Sequence, residues 1–476
     1  MQLFHYRSVR SALLEIENGT FHFAERKELN DPLEGFVRVY WQGDKAAWEG
    51  LFKHYICSIA NAVELYLLAA DKERLQHNSI EIDIHRWDDV PFGAMLLNLR
   101  TKFLKDPDVQ MLAEFYGSHR FKVYEKELRF IFRLIHKKAL VMYLRDLQTK
   151  KLMPEEEASN LIKMFDVPLP VKNMLSQIES RLSDEKKRIH LIESIETGIT
   201  DQQEFLYMQA ANQNGFCLYG DRTIAQDGVI EKKTMSKIYQ QRMWLTVASD
   251  FPINFVEQLK EMIYPESYVV CFSGKNNDSS MWGNYADCHR GVCLVYDIEE
   301  DSTISVKKSD LQERKLYVKP VMYGGDIIER NFFQTLGPLN GIQLKEWLSG
   351  TEDISSYYDE ICSDKTGWRD RYWEVFDAKT YRKTKEWNHE NEYRAAIDNF
   401  FHEFDDQQKR NLKFDWKILK GVIFGIGTTE YDKKKIWDAL MKHKEELTDF
   451  TFYQAEYDEE ADQKIHIRKK AIWKLL

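Results

Sequence analysis

The hydrophobic pattern divides the chain into three stretches. At the start, Leu3-Phe4-His5-Tyr6-Arg7 alternates in the manner of a strand, with Phe4 and Tyr6 on one face and His5 and Arg7 on the other. Ser8 and Ser11 cap a short helix that ends at Asn18-Gly19, and Thr20-Phe21-His22-Phe23-Ala24 reads as a second strand. Asn30-Asp31-Pro32 is a turn signal, with Glu34 just beyond it. From about residue 45 to 266 the apolar period becomes helical. Trp48, Leu51, Phe52, Tyr55, Ile56 and Ile59 share one face, as do Phe121, Tyr124, Leu128, Ile131, Phe132 and Ile135. Another helical face begins at Leu161, breaks over 166–170 and resumes from 171 to 195. Residues 214–229 are richer in glycine and read as short strands or a loop, and 241–248 fits neither pattern.

Strand-like runs return at Ser267. They cover 268–273, 291–297, 315–323, 392–398, 419–425, 450–456 and 464–469, with helical stretches over 332–376, broken near 365–367, and over 432–444. The expected architecture is an α+β body in which both chain ends contribute to one sheet: 1–44 and 267–476 form the body, and 45–266 is a mainly helical insertion.

Composition narrows the class. With 476 residues, 43% hydrophobic and 30% charged, the chain folds, and disordered or collagen-like readings are excluded. A net charge of −10 argues against a uniformly basic nucleic-acid surface, while a local basic groove stays compatible. Gly 22 and Pro 10 are low counts that favour long helices. The six cysteines show no C-x-x-C spacing, which fits a reducing, cytoplasmic setting. No apolar leader opens the sequence, and the most apolar run, 59–70, carries Glu64 and falls short of the ~20 residues a bilayer requires, so no membrane association is expected.

Several blocks together resemble a bacterial family catalogued as domain of unknown function 2971. They are Phe4-His5-Tyr6-Arg7-Ser8, Asn18-Gly19, Asn30-Asp31-Pro32-x-Glu34, Cys271-Phe272-Ser273, Met281-Trp282-x-x-Tyr285, His289-x-Gly291-Val292-Cys293, Lys385-x-Trp387-x-x-Glu390-x-Glu392-Tyr393-Arg394 and Gly421-Val422-Ile423-Phe424-Gly425. Their order is also similar to that of ADP-ribosyltransferases, including those that modify DNA. Such enzymes carry a His or Arg on the first strand, a Ser or Tyr on a middle strand and a Glu opening a later strand. The resemblance puts His5 or Arg7, Ser273 and Glu392 in those positions and implies NAD as substrate.

The residues themselves bear on each role. On a strand, Glu390, Glu392 and Arg394 share a face, and three charges there are costly in a core unless paired. A carboxylate so fixed stabilises positive charge growing on a ribose carbon; the plainer reading is a solvated strand edge with a local Glu–Arg pair. His5 and Arg7 suit phosphate or ribose hydroxyls, or else face water on an edge strand. Ser273 suits a ribose or amide, or caps a loop. Trp282 and Tyr285, three apart on a helical turn, stack on a base or a nicotinamide ring, or pack in the core. Glu34 is within reach of a ligand if the turn before it faces one. Cys288, His289 and Cys293 raise zinc, but three clustered candidates without close pairs read as structural thiols, and no metal is expected. Glu390, Glu392 and Asp398 would be the carboxylates of a metal-dependent nuclease. No Walker loop, dinucleotide glycine triplet or H-E-x-x-H occurs.

The expected function is a bacterial effector or defence enzyme that is ADP-ribosyltransferase-like. It would use NAD, with Glu392 and Glu390 catalytic and His5, Arg7, Ser273, Trp282 and Tyr285 holding the cofactor. ADP-ribose would pass to a macromolecular acceptor, nucleic acid or protein, or to water. The competing class is a non-catalytic regulatory module that docks a protein partner through the helical insertion.

Overall fold

The computed structural model describes residues 1–68, 93–166, 170–197, 246–298, 300–308, 313–337, 339–457 and 464–470. The glycine-rich 214–229 stretch and most of 241–248 lie outside them. Numbered along the chain, the strands are β1 (Gln2–Arg7), β2 (Thr20–His22), β3 (Arg38–Trp41), β4 (Val123–Tyr124), β5 (Ser267–Ser273), β6 (Val292–Asp297), β7 (Thr303–Lys307) and β8 (Glu313–Pro320). They continue with β9 (Met322–Tyr323), β10 (Glu329–Asn331), β11 (Arg382–Lys383), β12 (Glu392–Asp398), β13 (Asn411–Phe414), β14 (Leu419–Phe424), β15 (Thr451–Tyr457) and β16 (Ile465–Lys469). The chain forms two compact units. One comprises Met1–Arg38, Pro265–Ile328 and Arg371–Leu476; the other comprises Val39–Tyr264 and Glu329–Asp370.

The first unit is built on an 11-stranded sheet in the order β16-β15-β14-β6-β1-β5-β12-β8-β7-β13-β2. Both chain ends therefore enter one sheet, and β1 lies in its interior beside the middle strand β5. The apolar face of β1 explains the position: Leu3, Phe4, His5 and Tyr6 are all buried, a load that an edge strand would leave in water. Leu3 packs with Ile16, Phe21, Val270, Leu294 and Val422 on one face of the sheet. Phe4 and Tyr6 pack with Met281, Trp282, Val295 and Ile423 on the other. The helix Val9–Asn18 closes over the first face. Ser8 caps its N-terminus, and Gly19, at φ 61°, takes the left-handed turn that ends it. β14 and β15 run parallel, joined by the helix Glu430–Met441.

Most paired strands are antiparallel, and the pairing is unequal around β1. Six register pairs bind β1 to β6, from Gln2 with Asp297 to Arg7 with Val292. Towards β5 the register is the single pair Phe4 with Ser273. The free edge of β5 is taken instead by Ala24, which exchanges two backbone hydrogen bonds with Val269, at 2.8 and 2.9 Å. The sheet is thus opened between β1 and β5, and the segment after β2 lies against the opening.

The second unit is largely helical. The helix Lys45–Leu68 packs with Pro107–His119, Glu125–Thr149 and Phe251–Glu261 around Trp48, Phe52, Tyr55, Phe132 and Phe255, and β10-β3-β4 form a small sheet. The helical face of Trp48 to Ile59 is fully buried. Residues 329–370 complete this unit as well. The break expected near 365–367 is instead the start of a helix at Lys365, where the Asp364 carboxylate accepts from the Gly367 amide at 3.0 Å. No helix among the described residues is long and apolar enough to cross a membrane.

Candidate functional site

The opening between β1 and β5 holds a cavity of about 220 Å³ within the first unit. Four consecutive residues of β1, Phe4 to Arg7, and five of β5, Val269 to Ser273, line it. Consecutive residues point to opposite faces of a strand, so the cavity enters between the two strands and does not lie over one face. Asn30 comes from the turn after β2, Tyr285 from the helix Ser279–Tyr285, and Lys383, Glu390 and Glu392 from the segment that leads into β12.

That segment sets the carboxylates in place. A 3₁₀ turn over Lys385–Glu390 ends at Asn391, which adopts φ 45°, a left-handed conformation that asparagine tolerates. β12 then starts at Glu392, in register with Ser273, which is itself in register with Phe4. The Ser273 hydroxyl donates to the Glu390 carbonyl at 2.7 Å and accepts from the Lys275 amide at 3.1 Å, and the Gly274 amide donates to the Asn391 carbonyl at 2.8 Å. A Cβ on Gly274 would come within 2.4 Å of the Asn391 side-chain amide, so a larger residue here would push that side chain aside.

The carboxylates are buried and paired. Lys383 Nζ donates to Glu390 Oε2 at 2.6 Å and to Glu392 Oε2 at 3.0 Å. Arg394 Nε and Nη2 grip both oxygens of Glu392, at 2.6 and 2.9 Å, and Nη1 donates to the Thr380 carbonyl at 2.8 Å. Tyr285 donates to Glu390 Oε1. The Tyr323 hydroxyl accepts from the Glu392 amide at 2.6 Å. Glu34 approaches Arg394 closely and lies 3.8 Å from Lys383.

Three carboxylates therefore share two cations, and the proton affinities of Glu392 and Glu34 separate. Burial opposes the charge on Glu392, but Arg394 and Lys383 outweigh it and hold the carboxyl down to about 2. On Glu34 burial wins over Arg394 and Lys383, helped by Glu392, and the carboxyl rises to about 7. The same two acids lift Lys383 well above the ordinary lysine range against the effect of burial. Burial, with Glu392 close by, raises the Cys271 thiol strongly.

A second buried cluster forms the β1 side. His5 Nδ1 lies 3.0 Å from Glu15 Oε1, Arg7 Nε donates to Glu15 Oε2 at 3.0 Å, and the Tyr296 hydroxyl donates to Glu15 Oε1 at 2.7 Å. Burial acts against the Glu15 charge, yet His5 and Arg7 bring its carboxyl down to about 2. Burial and the neighbouring Arg7 lower His5 below the ordinary histidine value, against the pull of Glu15.

Of the residues nominated from sequence, His5, Arg7, Ser273, Tyr285, Glu390 and Glu392 all line this one cavity. Trp282 does not. It is fully buried, its ring meets Tyr6 edge-on at 5.1 Å, and its indole N–H donates to the Asn276 carbonyl at 2.9 Å. Asp398 closes β12 at the far end from Glu392, about 20 Å away at strand rise. Cys293 is buried within β6, and Cys288 is exposed in the turn before it. Sequence reasoning passed over Lys383 and Glu15. Glu15 had a signal, a charge at core spacing between Ala12 and Ile16 on an amphipathic helix; Lys383 had none, because its two-residue strand is too short to show a pattern.

Residues 281–395 match the family model described as "Protein of unknown function (DUF2971)". The blocks around Met281-Trp282, His289 to Cys293 and Lys385 to Arg394 fall inside that match, whereas those around β1, Cys271 to Ser273 and β14 lie outside it. Comparison with curated proteins and comparison with solved structures gave no match.

Proposed function

We propose that the first unit is an ADP-ribosyltransferase-like domain that consumes NAD at the cavity between β1 and β5. The observation that carries this reading is the convergence of His5, Arg7, Ser273, Tyr285, Glu390 and Glu392 on one cavity from three distant parts of the sequence. A volume of about 220 Å³ takes in the nicotinamide–ribose end of a dinucleotide and leaves the remainder outside. The bond between the ribose anomeric carbon and the pyridinium nitrogen breaks, and its electron pair leaves with neutral nicotinamide. Positive charge develops on the ribose carbon and ring oxygen. Glu392, ionised and immobilised by Arg394 and Lys383, supplies fixed negative charge at the wall. The acceptor, a macromolecular hydroxyl or amine or a water molecule, bonds to the same carbon and gives its proton to Glu390. Arg7 and His5 orient the ligand from the β1 side.

One observation favours the second reading, a non-catalytic module. Both oxygens of Glu392 already have cationic partners, the arrangement of a carboxylate that holds structure together. Nicotinamide release from NAD separates the two. The protein is assayed alone and with DNA, RNA or cell lysate, beside Glu390→Gln and Glu392→Gln, with each variant's melting curve as control. Release that both folded variants lose is the expected result. A folded wild-type protein that releases none under any of these conditions overturns the enzymatic reading. Glu390→Gln is the safer variant, because Glu390 has one cationic partner where Glu392 has two.

A further inference from the structure

The cluster beneath β1 is more than a buried ion pair. Glu15 sits on the core face of the helix Val9–Asn18 and is itself almost inaccessible. An ionised carboxylate only accepts hydrogen bonds, so the proton between it and His5 belongs to His5 Nδ1. Burial and the adjacent Arg7 favour the neutral imidazole, the form in which the second nitrogen, Nε2, carries a lone pair. Nε2 makes no hydrogen bond among the described residues, and His5 lines the cavity. Arg7 likewise spends only Nε on Glu15, and its two terminal nitrogens have no partner among the described residues. One carboxylate thus consumes the inner edge of each side chain and leaves an acceptor from His5 and a donor pair from Arg7. Tyr296, from the neighbouring β6, holds the carboxylate in turn.

We infer that Glu15 is a positioning residue of this site: it fixes the tautomer and ring orientation of His5 and the direction of the Arg7 guanidinium, so that both meet a ligand preset. The inference rests on reading this cavity as the ligand site. The physical argument is one of preorganisation. A free histidine exchanges between tautomers and a free arginine between rotamers, and a ligand would otherwise have to select among them. A structural ion pair alone needs neither residue to line a cavity while keeping polar nitrogens that have no partner among the described residues.

Two measurements on the full chain test it. The first starts from the wild-type protein: imidazole ¹⁵N shifts of the labelled chain, with the His5 signals assigned by their loss in His5→Gln. Protonated Nδ1 and unprotonated Nε2 are expected near neutral pH, and Glu15→Gln should move the pair towards the averaged shifts of exchanging tautomers. A wild-type ring protonated on Nε2, or a folded Glu15→Gln protein with unchanged His5 shifts, overturns the inference. The second is titration with ADP-ribose. Glu15→Gln should weaken binding by up to about 100-fold, the scale of a small misplacement of binding groups, whereas Tyr296→Phe, which leaves both ligand-facing side chains tied to Glu15, should change it by less than about threefold. Equal losses in the two variants overturn it. A wild-type protein that binds no ADP-ribose and releases no nicotinamide defeats the functional reading instead, and the His5 shifts still decide the role of Glu15.

Discussion

Glu34 is the residue whose chemistry is set least by its own sequence and most by what surrounds it. It competes with Glu392 for Arg394, and Glu392 holds the better position, with two hydrogen bonds from the guanidinium. Burial, with the Glu392 charge beside it, outweighs Arg394 and Lys383, so Glu34 keeps its proton up to about 7, against an ordinary value of 4.5. Between those two values the unfolded chain releases this proton while the folded chain retains it, so Glu34 makes stability fall as pH rises through the window. Glu392 acts in the opposite sense: with its folded value near 2, its contribution is present above pH 4.5 and is lost as pH drops towards 2. Glu34→Gln mimics the protonated acid and leaves Glu390 and Glu392 balanced by Lys383 and Arg394. Denaturant unfolding at pH 8 should find it more stable than wild type by roughly 1–3 kcal/mol, with the difference shrinking as pH falls and fading below pH 4.5. A variant less stable than wild type at pH 8 would show that Glu34 is an ionised partner of Arg394. At this scale sequence had limited reach. The pairing of Glu392 with Arg394 two residues on was readable from strand period, but Lys383 and Glu34 join the cluster through tertiary contacts that leave no periodic mark.

Among the described residues, the turn between the helix Ser279–Tyr285 and β6 holds the longest run of left-handed residues with side chains. Asp287, Cys288 and His289 have φ of 48°, 52° and 66°, three successive left-handed residues with side chains, each costing about 1 kcal/mol. The turn is held because it returns hydrogen bonds to the helix: the Cys288 and His289 amides donate to the Gly283 and Trp282 carbonyls at 3.2 and 3.1 Å, and Gly291 donates to Ala286 at 2.7 Å. It then brings Gly291 against β1, where an added Cβ would lie 2.2 Å from the Arg7 carbonyl oxygen. Backbone on both sides leaves nothing to yield. Gly291→Ala should therefore cost about 1–3 kcal/mol in denaturant unfolding and shift the Arg7 end of β1, with ligand binding weakened alongside stability. A substitution that leaves both unchanged would mean that β1 slides freely here. Elements of this unit were legible where they were long and apolar: β1, β5, β6, β12 and β14 stand out in the pattern, and the helix Glu430–Met441 departs from its expected span by a few residues. β7 and β13 were missed, because Thr303–Lys307 and Asn411–Phe414 are short strands interleaved with lysine and serine or asparagine. The 332–376 stretch reads as helical with one break near 365–367, while the structure has three α-helices among the described residues there, with Asn340 and Ser355 capping two of the starts.

For the whole molecule, the decisive fact is the long stretch of sequence between β1 and the strands β5 and β6 that flank it in the sheet. The Tyr6 hydroxyl donates to the Lys275 carbonyl 269 residues further on, and the N-terminal ammonium lies 3.1 Å from Asp297 Oδ1 across a separation of 296. Everything between them, most of the second unit included, is available to fold before β1 is paired. Loop closure over such a distance is entropically costly and is repaid only when β5 and β6 dock on both sides of β1, whereas the helices of the second unit form from neighbouring residues. The cavity lies against β1, so it is among the last features to exist. Pulse-labelling hydrogen exchange during refolding should find amides of Lys45–Leu68 and Glu125–Thr149 protected well before those of β1 and β5. Ligand binding should recover with the slower phase. Protection of both sets in a single phase would contradict this order, and would mean that β1 is captured by β5 and β6 as early as the helices form. The late phase should also be the one that Leu3→Ala slows. Leu3 is fully buried against Val270 and Leu294, strands that meet only when the sheet closes, so its methyl groups contribute at the closing step and not before it.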